Sequence, residues 1–277
     1  MLRMCLERIR RYTPECKDSI IIAADCNGND FDAWDEVKGI PVLFHQASAS
    51  VRGSERHVAL LDATVKIVQS KYLLTLDSDC FPIHDFWLNG LFVLNATVAG
   101  ILHPWSPSPP ELSRDTMDYR IRRSLCWNNT HVACQLCETD FIRRHGIGYG
   151  DGDDTGLSIP MKAHELGLKV SGYMPTRCPL PDNGDFDPEW NRDCCVVFGD
   201  SVYHHGGASR ENECHLWPSM YFKEERRRIE EEGPEFLLDE GYQYRFDREE
   251  EVVKHKLTVM FDGMKAYLAA NPGGAFK

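Results

Sequence analysis

The sequence contains no apolar run that approaches the length of a membrane-spanning helix, and it has fewer basic than acidic residues. A membrane span needs about 20 consecutive apolar residues, whereas Ile20–Ala24 and Leu91–Val93 are far shorter. We therefore expect no transmembrane segment. The 43 Asp and Glu residues outnumber the 31 Lys and Arg residues, and the formal net charge is −12. This balance argues against nucleic acid as a partner, because such binding relies on clustered positive charge.

The first residues also lack the layout of a secretory signal, which combines a basic start, an apolar stretch and small residues. Eleven cysteines are scattered along the chain without the regular spacing of a small disulfide-rich domain. Their odd number and the adjacent pair Cys194–Cys195 indicate free thiols in a reducing compartment. We therefore expect a cytoplasmic protein, either free in the cytoplasm or peripheral to a membrane.

The order of apolar patterns predicts an α/β fold. Helical spacing predicts helices over residues 2–12, 54–70, 86–95 and 160–168. Short apolar runs predict strands over residues 19–24, 41–44, 72–76, 98–102 and 169–173, and a weak alternation predicts an antiparallel or mixed strand over 130–137. Strands that alternate with helices are typical of a mostly parallel sheet covered on both faces. We expect a small mixed sheet beside this central sheet.

The stretch Tyr72–Pro82 carries the strongest functional pattern in the chain. Its sequence YLLTL predicts a buried strand, and Asp77 and Asp79 follow directly after it. Ligands of open α/β sheets bind at the carboxyl ends of the strands. Two carboxylates at that place suit a hard divalent cation, although Asp and Ser also favour a simple turn after a strand.

Three other groups of acidic or histidine residues follow apolar runs in the same manner. They are Asp25, the acidic run over residues 151–154, and the pair His204–His205. Each is a weak signal alone, since an acid after a strand is commonly a helix cap or a turn residue. Together with Asp77 and Asp79 they predict one crevice in which carboxylates and an imidazole converge.

Two further groups of residues have the types that bind phosphate or zinc, but each also has a purely structural explanation. Arg52, Arg56 and His57 precede or begin the predicted helix 54–70, where they can approach a phosphate or form a solvated face. Four potential zinc ligands lie close together in the sequence: Cys126, His131, Cys134 and Cys137. If residues 130–137 form a strand, Cys134 and Cys137 point to opposite faces, so a zinc site is not favoured.

Four segments in order resemble the inverting GT-A glycosyltransferases, in particular those of family 2. The helix 2–12 and the strand that ends at Asp25 are similar to the family's opening, and Tyr72–Asp79 is similar to its DxD strand. The segment from Gly150 to Leu157 (GDGDDTGL) is similar to the family's ED segment. Residues Val202–Ser209 (VYHHGGAS) are similar to its H-x-G-G-x-S segment.

The resemblance implies a role for each matching residue. Asp25 would contact the nucleotide base, Asp77 the ribose and the metal region, and Asp79 a divalent cation, Mn²⁺ or Mg²⁺. Asp154 would be the general base, with Asp153 next to it. His204 would be a further metal or diphosphate ligand. The choices between Asp151, Asp153 and Asp154 and between His204 and His205 stay open at this point.

The resemblance also implies the domain organisation and the activity. Residues 1–215 would form the catalytic domain, with a nucleotide-sugar half over 1–103 and an acceptor half over 104–215. The resemblance ends near Arg210, and the charge-rich helical pattern after it predicts that residues 216–277 form a charged helical extension, a candidate surface for a homo-oligomer. The activity would be hexosyl or deoxyhexosyl transfer from a nucleotide-diphosphate donor to a glycan or lipid-linked saccharide, as in polysaccharide biosynthesis.

Two other functions stay open. A sugar nucleotidyltransferase on a related sheet would need a phosphate loop rich in glycine and lysine near the N-terminus, where Gly28 is a lone glycine. A non-catalytic carbohydrate-binding protein would bind glycans without binding nucleotides.

Overall fold

The structure is a computed structural model. It describes residues 2–24, 37–44, 53–103, 129–151, 155–177, 196–206 and 227–238. The helices of eight or more residues are α1 (Leu2–Tyr12), α2 (Gly53–Ile67) and α5 (Ser158–Glu165), and α3 (Trp87–Val93) and α4 (Thr139–His145) have seven residues each. Residues 227–232 are helical, and Pro14–Ser19 and Pro234–Leu238 form 3₁₀ turns.

The described strands form three sheets. They are β1 (Ile22–Ala24), β2 (Val42–Phe44), β3 (Tyr72–Leu76), β4 (Cys80–Pro82), β5 (Val98–His103), β6 (Asn129–Glu138), β7 (Val170–Tyr173), β8 (Pro175–Arg177), β9 (Val196–Phe198) and β10 (Val202–His204). The central sheet has the order β3-β6-β5-β7, a smaller sheet has the order β4-β10-β9-β8, and β1 pairs with β2 in parallel. The predicted α/β class is confirmed.

Strand β6 gives the central sheet its mixed character. It lies between β3 and β5 and runs antiparallel to both, whereas β5 and β7 are parallel. Strands β3, β5 and β7 therefore point the same way and β6 runs against them. The prediction of an antiparallel or mixed strand at this place is confirmed, and β6 is longer than predicted by one residue at each end.

Both faces of the central sheet are covered by apolar side chains. On one face, α3 and the small sheet pack against it through a cluster that includes Trp87, Leu91, Cys134 and Phe198. On the other face, α2, α4 and α5 pack through a second cluster, in which Cys137 lies with Leu61, Val65, Phe141 and Ile159. Cys134 and Cys137 thus lie in different clusters, as the alternation of side chains along a strand requires. This placement agrees with the low expectation of a zinc site.

Strand β3 occupies the predicted residues, but it is less buried than predicted. Only Thr75 of its five residues is buried, and Tyr72 is 37% exposed. The reason is its position at the edge of the described central sheet, where only β6 pairs with it. The Thr75 hydroxyl donates to the Val132 carbonyl (2.6 Å), which ties the end of β3 to β6.

A small mixed sheet was predicted without its residues, and the structure has a small sheet that adjoins the end of β3 and whose described pairings are all antiparallel. Strand β4 begins at Cys80, directly after Asp79, and β10 pairs with it antiparallel in a register that places His204 opposite Cys80. Each of its four strands has three residues. A strand of that length shows no periodicity that a sequence window can detect.

Helix α1 and residues 227–238 pack on the outer side of β4 and β10. Their shared apolar cluster contains Cys5, Phe81, Tyr203, Ile229 and Leu237. The buried Arg8 forms a bidentate ion pair with Glu235, with N–O distances of 2.7 and 3.0 Å. The Arg8 side chain is 5% exposed and the Glu235 side chain 58%. The segment 227–238 is thus attached to the first helix of the chain.

Replacing Glu235 with alanine is expected to lower the free energy of unfolding by about 2 kcal/mol at pH 7, because it leaves the buried Arg8 cation unpaired. This value is below that of a fully buried pair because solvent screens the exposed carboxylate. Hydrogen bonding to Arg8 holds the pKa of Glu235 below its ordinary value. The stabilisation is therefore present above the ordinary pKa of glutamate and is lost as the pH falls through the lower folded value.

Urea unfolding of wild type and the Glu235→Ala variant at pH 7 and at pH 4 measures this difference. The matched control is Glu231→Ala, which removes one exposed partner of an i, i+4 pair with Arg227 and is expected to cost about 0.5 kcal/mol or less. Equal effects of the two substitutions would contradict the role given to the Arg8–Glu235 pair.

Candidate functional site

Asp77, Asp79 and His204 lie together at the carboxyl end of β3. Each offers one ligand atom, and these atoms all lie within 4.8 Å of one another. Asp79 is 6% exposed and His204 is 4% exposed, whereas Asp77 is partly exposed. We refer to these three residues as the acidic cluster. It combines two carboxylates with one imidazole.

Backbone hydrogen bonds fix the acidic cluster. The Asp77 N–H donates to the Ala133 carbonyl of β6 (3.0 Å), and the Cys80 N–H donates to the Asp77 carbonyl (2.9 Å). The second bond closes a tight turn over Asp77–Cys80, as Asp and Ser residues favour. The His205 N–H donates to the Asp79 carbonyl (2.9 Å). Three separate elements, β3, β6 and β10, therefore hold the two aspartates and the histidine in register.

Two buried thiols, those of Cys5 and Cys80, lie at this turn. The Cys5 thiol of α1 donates to the Cys80 carbonyl (3.4 Å). Burial, together with the nearby Asp79 and Asp77 carboxylates, raises the pKa of Cys5. Burial and the Cys134 thiol likewise raise the pKa of Cys80. Without a metal these thiols stay protonated, and Cys5 acts as a small buried donor.

The structure places His204, and not His205, beside the two aspartates. His204 Nδ1 is buried and has no hydrogen-bond partner among the residues that the structure describes. The ring of His205 is fully buried, and its Nδ1 lies 2.9 Å from the Tyr203 hydroxyl. His204 is therefore the histidine whose ring can reach a ligand shared with Asp77 and Asp79.

Two further histidines adjoin the acidic cluster. His57 of α2 places Nε2 at 3.4 Å from Asp77 Oδ1. The ring of His131 on β6 lies with its centroid 5.4 Å from that of His204, at an interplanar angle of 41°. The sequence singled out both residues but assigned them elsewhere, His57 to a helix start and His131 to a zinc set. No spacing in the sequence signals that β6 and α2 approach the end of β3.

The acidic cluster has the donor set of a divalent-cation site. Carboxylate oxygens suit Mg²⁺ and Mn²⁺, and an imidazole nitrogen favours a first-row transition metal over Mg²⁺. No described residue is a partner of the buried His204 Nδ1, and this supports the same assignment because such a buried polar atom is costly unless a ligand satisfies it. The residues present therefore fit a metal ion.

The other predicted site residues are not brought into this site by the described part of the chain. Asp25, Asp153 and Asp154 lie outside the described residues. Asp151 is described and exposed, and its Oδ2 accepts a hydrogen bond from the Gly148 N–H (2.6 Å). This contact makes Asp151 a turn residue and disfavours it as the base.

No family model matches the chain, and no curated protein matches it. The chain resembles solved structures at low identity and with TM-scores below 0.5, among them the following three. A 4-diphosphocytidyl-2C-methyl-D-erythritol synthase from Anaerococcus prevotii has 14% identity and a TM-score of 0.42, with 62% of this chain and 75% of that chain covered. The galactosyltransferase LgtC, in complex with donor and acceptor sugar analogs, has 14% identity and a TM-score of 0.41, with 81% and 90% covered. S. aureus TarS 1–349 has 12% identity and a TM-score of 0.37, with 87% and 75% covered.

Within the described ranges, no helix combines the length and the apolar character that crossing a membrane requires.

Proposed function

We propose that the chain is a metal-dependent glycosyltransferase, which moves a sugar from a nucleotide-diphosphate donor to the hydroxyl of a glycan or lipid-linked saccharide. The observation that carries this proposal is the acidic cluster at the carboxyl end of β3, where ligands of open α/β sheets bind. Asp77 and Asp79 lie in the segment that resembles the family's DxD strand, and His204 lies in the segment that resembles its H-x-G-G-x-S segment. Two independent lines, the motif order and the geometry, thus favour one site.

In this proposal Asp77, Asp79 and His204 hold Mn²⁺ or Mg²⁺. The cation, when bound, supplies positive charge against the diphosphate that leaves as the sugar is transferred. The buried Asp79 fixes the site because its backbone is held by β10. Asp77 is more exposed and can also face the ribose. With the cation bound, these side chains would hold and orient the diphosphate of the donor.

We propose that the remaining roles belong to residues outside the described ranges. Asp25 follows β1 and would contact the base. Asp154, with Asp153 as the alternative, would take the proton of the acceptor hydroxyl, a role that typically contributes about 10²–10⁴-fold to the rate. With one carboxylate base and no separate nucleophile, the transfer would be a single displacement that inverts the anomeric configuration. The catalytic domain would extend over residues 1–215.

A thermal-shift experiment with UDP, GDP and dTDP, each with and without Mn²⁺, tests the proposal. A ligand at a hundred times its dissociation constant adds about 2.7 kcal/mol to the stability, which corresponds to a shift on the order of 5 °C. We expect one nucleotide to stabilise the protein only when Mn²⁺ is present. Absence of a Mn²⁺-dependent shift with all three nucleotides would refute the proposal, and stabilisation by glycans alone would favour a carbohydrate-binding protein.

Replacing His57 with alanine is expected to weaken Mn²⁺ binding about tenfold, because His57 Nε2 orients the Asp77 carboxylate. His57→Gln is the matched control, since the Gln amide nitrogen can take the place of the imidazole Nε2 and is expected to preserve the affinity. Isothermal titration with Mn²⁺ alone measures both variants. An unchanged affinity in His57→Ala would show that Asp77 is oriented without His57.

A further inference from the structure

His205 is a fully buried histidine that the proposed mechanism does not use. It follows directly after β10, next to His204. Side chains alternate along a strand, so Tyr203 and His205 lie on one side of the chain and His204 lies on the other. The hydrogen bond between the Tyr203 hydroxyl and His205 Nδ1 (2.9 Å) agrees with this arrangement. We therefore ask what a pair of buried polar side chains does directly beside a candidate metal ligand.

The backbone of His205 connects this pair to the acidic cluster. Its N–H donates to the Asp79 carbonyl (2.9 Å). The bond extends by one residue the pairing of β4 with β10, in which His204 lies opposite Cys80. It therefore sets the distance between the segment that carries Asp79 and the segment that carries His204. Since both side chains must reach one cation, a change in this distance alters the metal site directly.

The Tyr203 ring is held in place from the opposite side of the small sheet. It is fully buried in the apolar cluster that α1 and residues 227–238 form with this sheet, and its centroid lies 5.2 Å from that of Phe81. The packed ring gives the hydroxyl a defined position, and a satisfied buried hydrogen bond makes the structure around it rigid. His204 thus lies between Tyr203, which is fixed by packing, and His205, which is fixed by two hydrogen bonds.

We propose that Tyr203 and His205 are positioning residues of the metal site, whose mutual hydrogen bond sets the backbone of β10 so that His204 and Asp79 reach the same cation. The inference rests on the metal site of the proposed function and adds two residues that do not touch the metal. Loss of the Tyr203 hydroxyl leaves a buried ring nitrogen of His205 without this partner, which favours a shift of the His205 ring. Such a shift moves the His205 N–H away from the Asp79 carbonyl, and the two ligands then separate.

Three substitutions separate positioning from a general loss of stability. Tyr203→Phe removes the hydroxyl and keeps the packed ring. In His205→Asn the side-chain amide offers an acceptor and a donor near the position of Nδ1, so it can keep the bond to Tyr203 whichever tautomer His205 has. Tyr173→Phe is the matched control, because it also removes a hydrogen-bonded hydroxyl, which donates to the Trp87 carbonyl (2.7 Å), but it lies on β7 and not beside a member of the acidic cluster.

Isothermal titration with Mn²⁺ alone, beside melting without metal, tests the proposal. Without metal, Tyr203→Phe and Tyr173→Phe are both expected to melt about 2–4 °C below the wild type, since each loses one hydrogen bond. We expect Tyr203→Phe to bind Mn²⁺ about tenfold more weakly, as is typical when a residue that orients a metal ligand is changed. His205→Asn is expected to bind Mn²⁺ within about threefold of the wild type, and Tyr173→Phe as the wild type does.

Each contrary outcome has its own meaning. The inference is wrong if Tyr203→Phe binds Mn²⁺ as tightly as the wild type, or if Tyr173→Phe weakens Mn²⁺ binding by the same factor as Tyr203→Phe. It is also wrong if His205→Asn loses as much affinity as Tyr203→Phe, because the conservative variant then fails to restore the site. A wild type that binds no Mn²⁺ overturns the inference and the proposed function together, whereas a wild type that binds Mn²⁺ but no nucleotide overturns the proposed function alone.

Discussion

Replacing Asp79 with alanine is expected to abolish Mn²⁺-dependent nucleotide binding and to lower sugar transfer at least about 100-fold. Asp79 is the more buried of the two aspartates and lies next to the buried His204. Its removal leaves Asp77 and His204 as a two-ligand set, in which the carboxylate is already engaged by His57. The remaining residues cannot compensate, because the turn over Asp77–Cys80 allows no other carboxylate to reach the same point among the described residues.

The expected loss concerns binding and not folding. Two neighbouring carboxylates without a cation repel each other, so the Asp79→Ala protein without metal is expected to melt at the same temperature as the wild type or slightly above it. The Mn²⁺-dependent thermal shift with the best nucleotide is the measurement. Asp85→Ala is the matched control, since Asp85 lies shortly after β4, is 79% exposed and pairs with His84. An Asp79→Ala protein that keeps the metal-dependent shift would contradict the proposed site.

The sequence predicts best those elements whose residues form one continuous local pattern. The residues of β3 and the two aspartates after it were predicted to the residue, because a short apolar run that ends in acids has few other structures available. Helix α2 was predicted from Val58, Leu61 and Val65 on one face, and these residues pack on the central sheet as expected. The helix ends at Ile67, before the predicted end at residue 70. The Ser70 carbonyl instead accepts a hydrogen bond from the Thr139 hydroxyl.

The parts that sequence reasoning missed depend on contacts between distant segments. Strands β4, β9 and β10 are too short to carry a periodic signal, yet their pairing brings His204 to Asp79. The choice of His204 over His205 follows from that register, and no property of either histidine alone reveals it. The position of His131 likewise follows from the antiparallel pairing of β6 with β3, which brings together residues more than fifty positions apart. Such pairings are properties of the fold and not of a window of sequence.

The roles of Asp25, Asp153 and Asp154 stay predictions, since these residues lie outside the described ranges. Their roles depend on how far each side chain lies from the acidic cluster. In the proposed reaction, a base must come within hydrogen-bonding reach of the acceptor hydroxyl, and the acidic cluster is where the donor diphosphate would be held. Substitution of Asp153 and Asp154 one at a time, with nucleotide binding measured beside transfer, separates a base from a donor contact, because loss of a base lowers transfer and leaves donor binding intact.

Replacing Gly172 with alanine is expected to destabilise the protein by about 3 kcal/mol or more, which is a loss on the order of 6–10 °C in melting temperature. Gly172 of β7 pairs with Gly100 of β5, and a Cβ at Gly172 would lie 2.0 Å from the Gly100 carbonyl oxygen. Both neighbours in this contact are backbone, so no flexible side chain can move aside. Strand β5 cannot retreat either, because a similar close approach joins Gly100 to the Cys134 carbonyl of β6.

The control for this steric argument is Gly146→Ala. Gly146 ends α4 in the left-handed region with φ +59°, and no atom lies within 4 Å of a Cβ placed there. Only the backbone preference opposes alanine at that position, and the expected cost is about 1 kcal/mol. Urea unfolding of the two variants compares them directly. Equal costs would mean that β5 and β7 separate without penalty. A threefold larger cost at Gly172 would show that the close approach of the strands leaves no room for a Cβ at this position. Because neither glycine belongs to the acidic cluster, folded Gly172→Ala protein is expected to bind Mn²⁺ as the wild type does, which separates the stability of the sheet from the chemistry at its end.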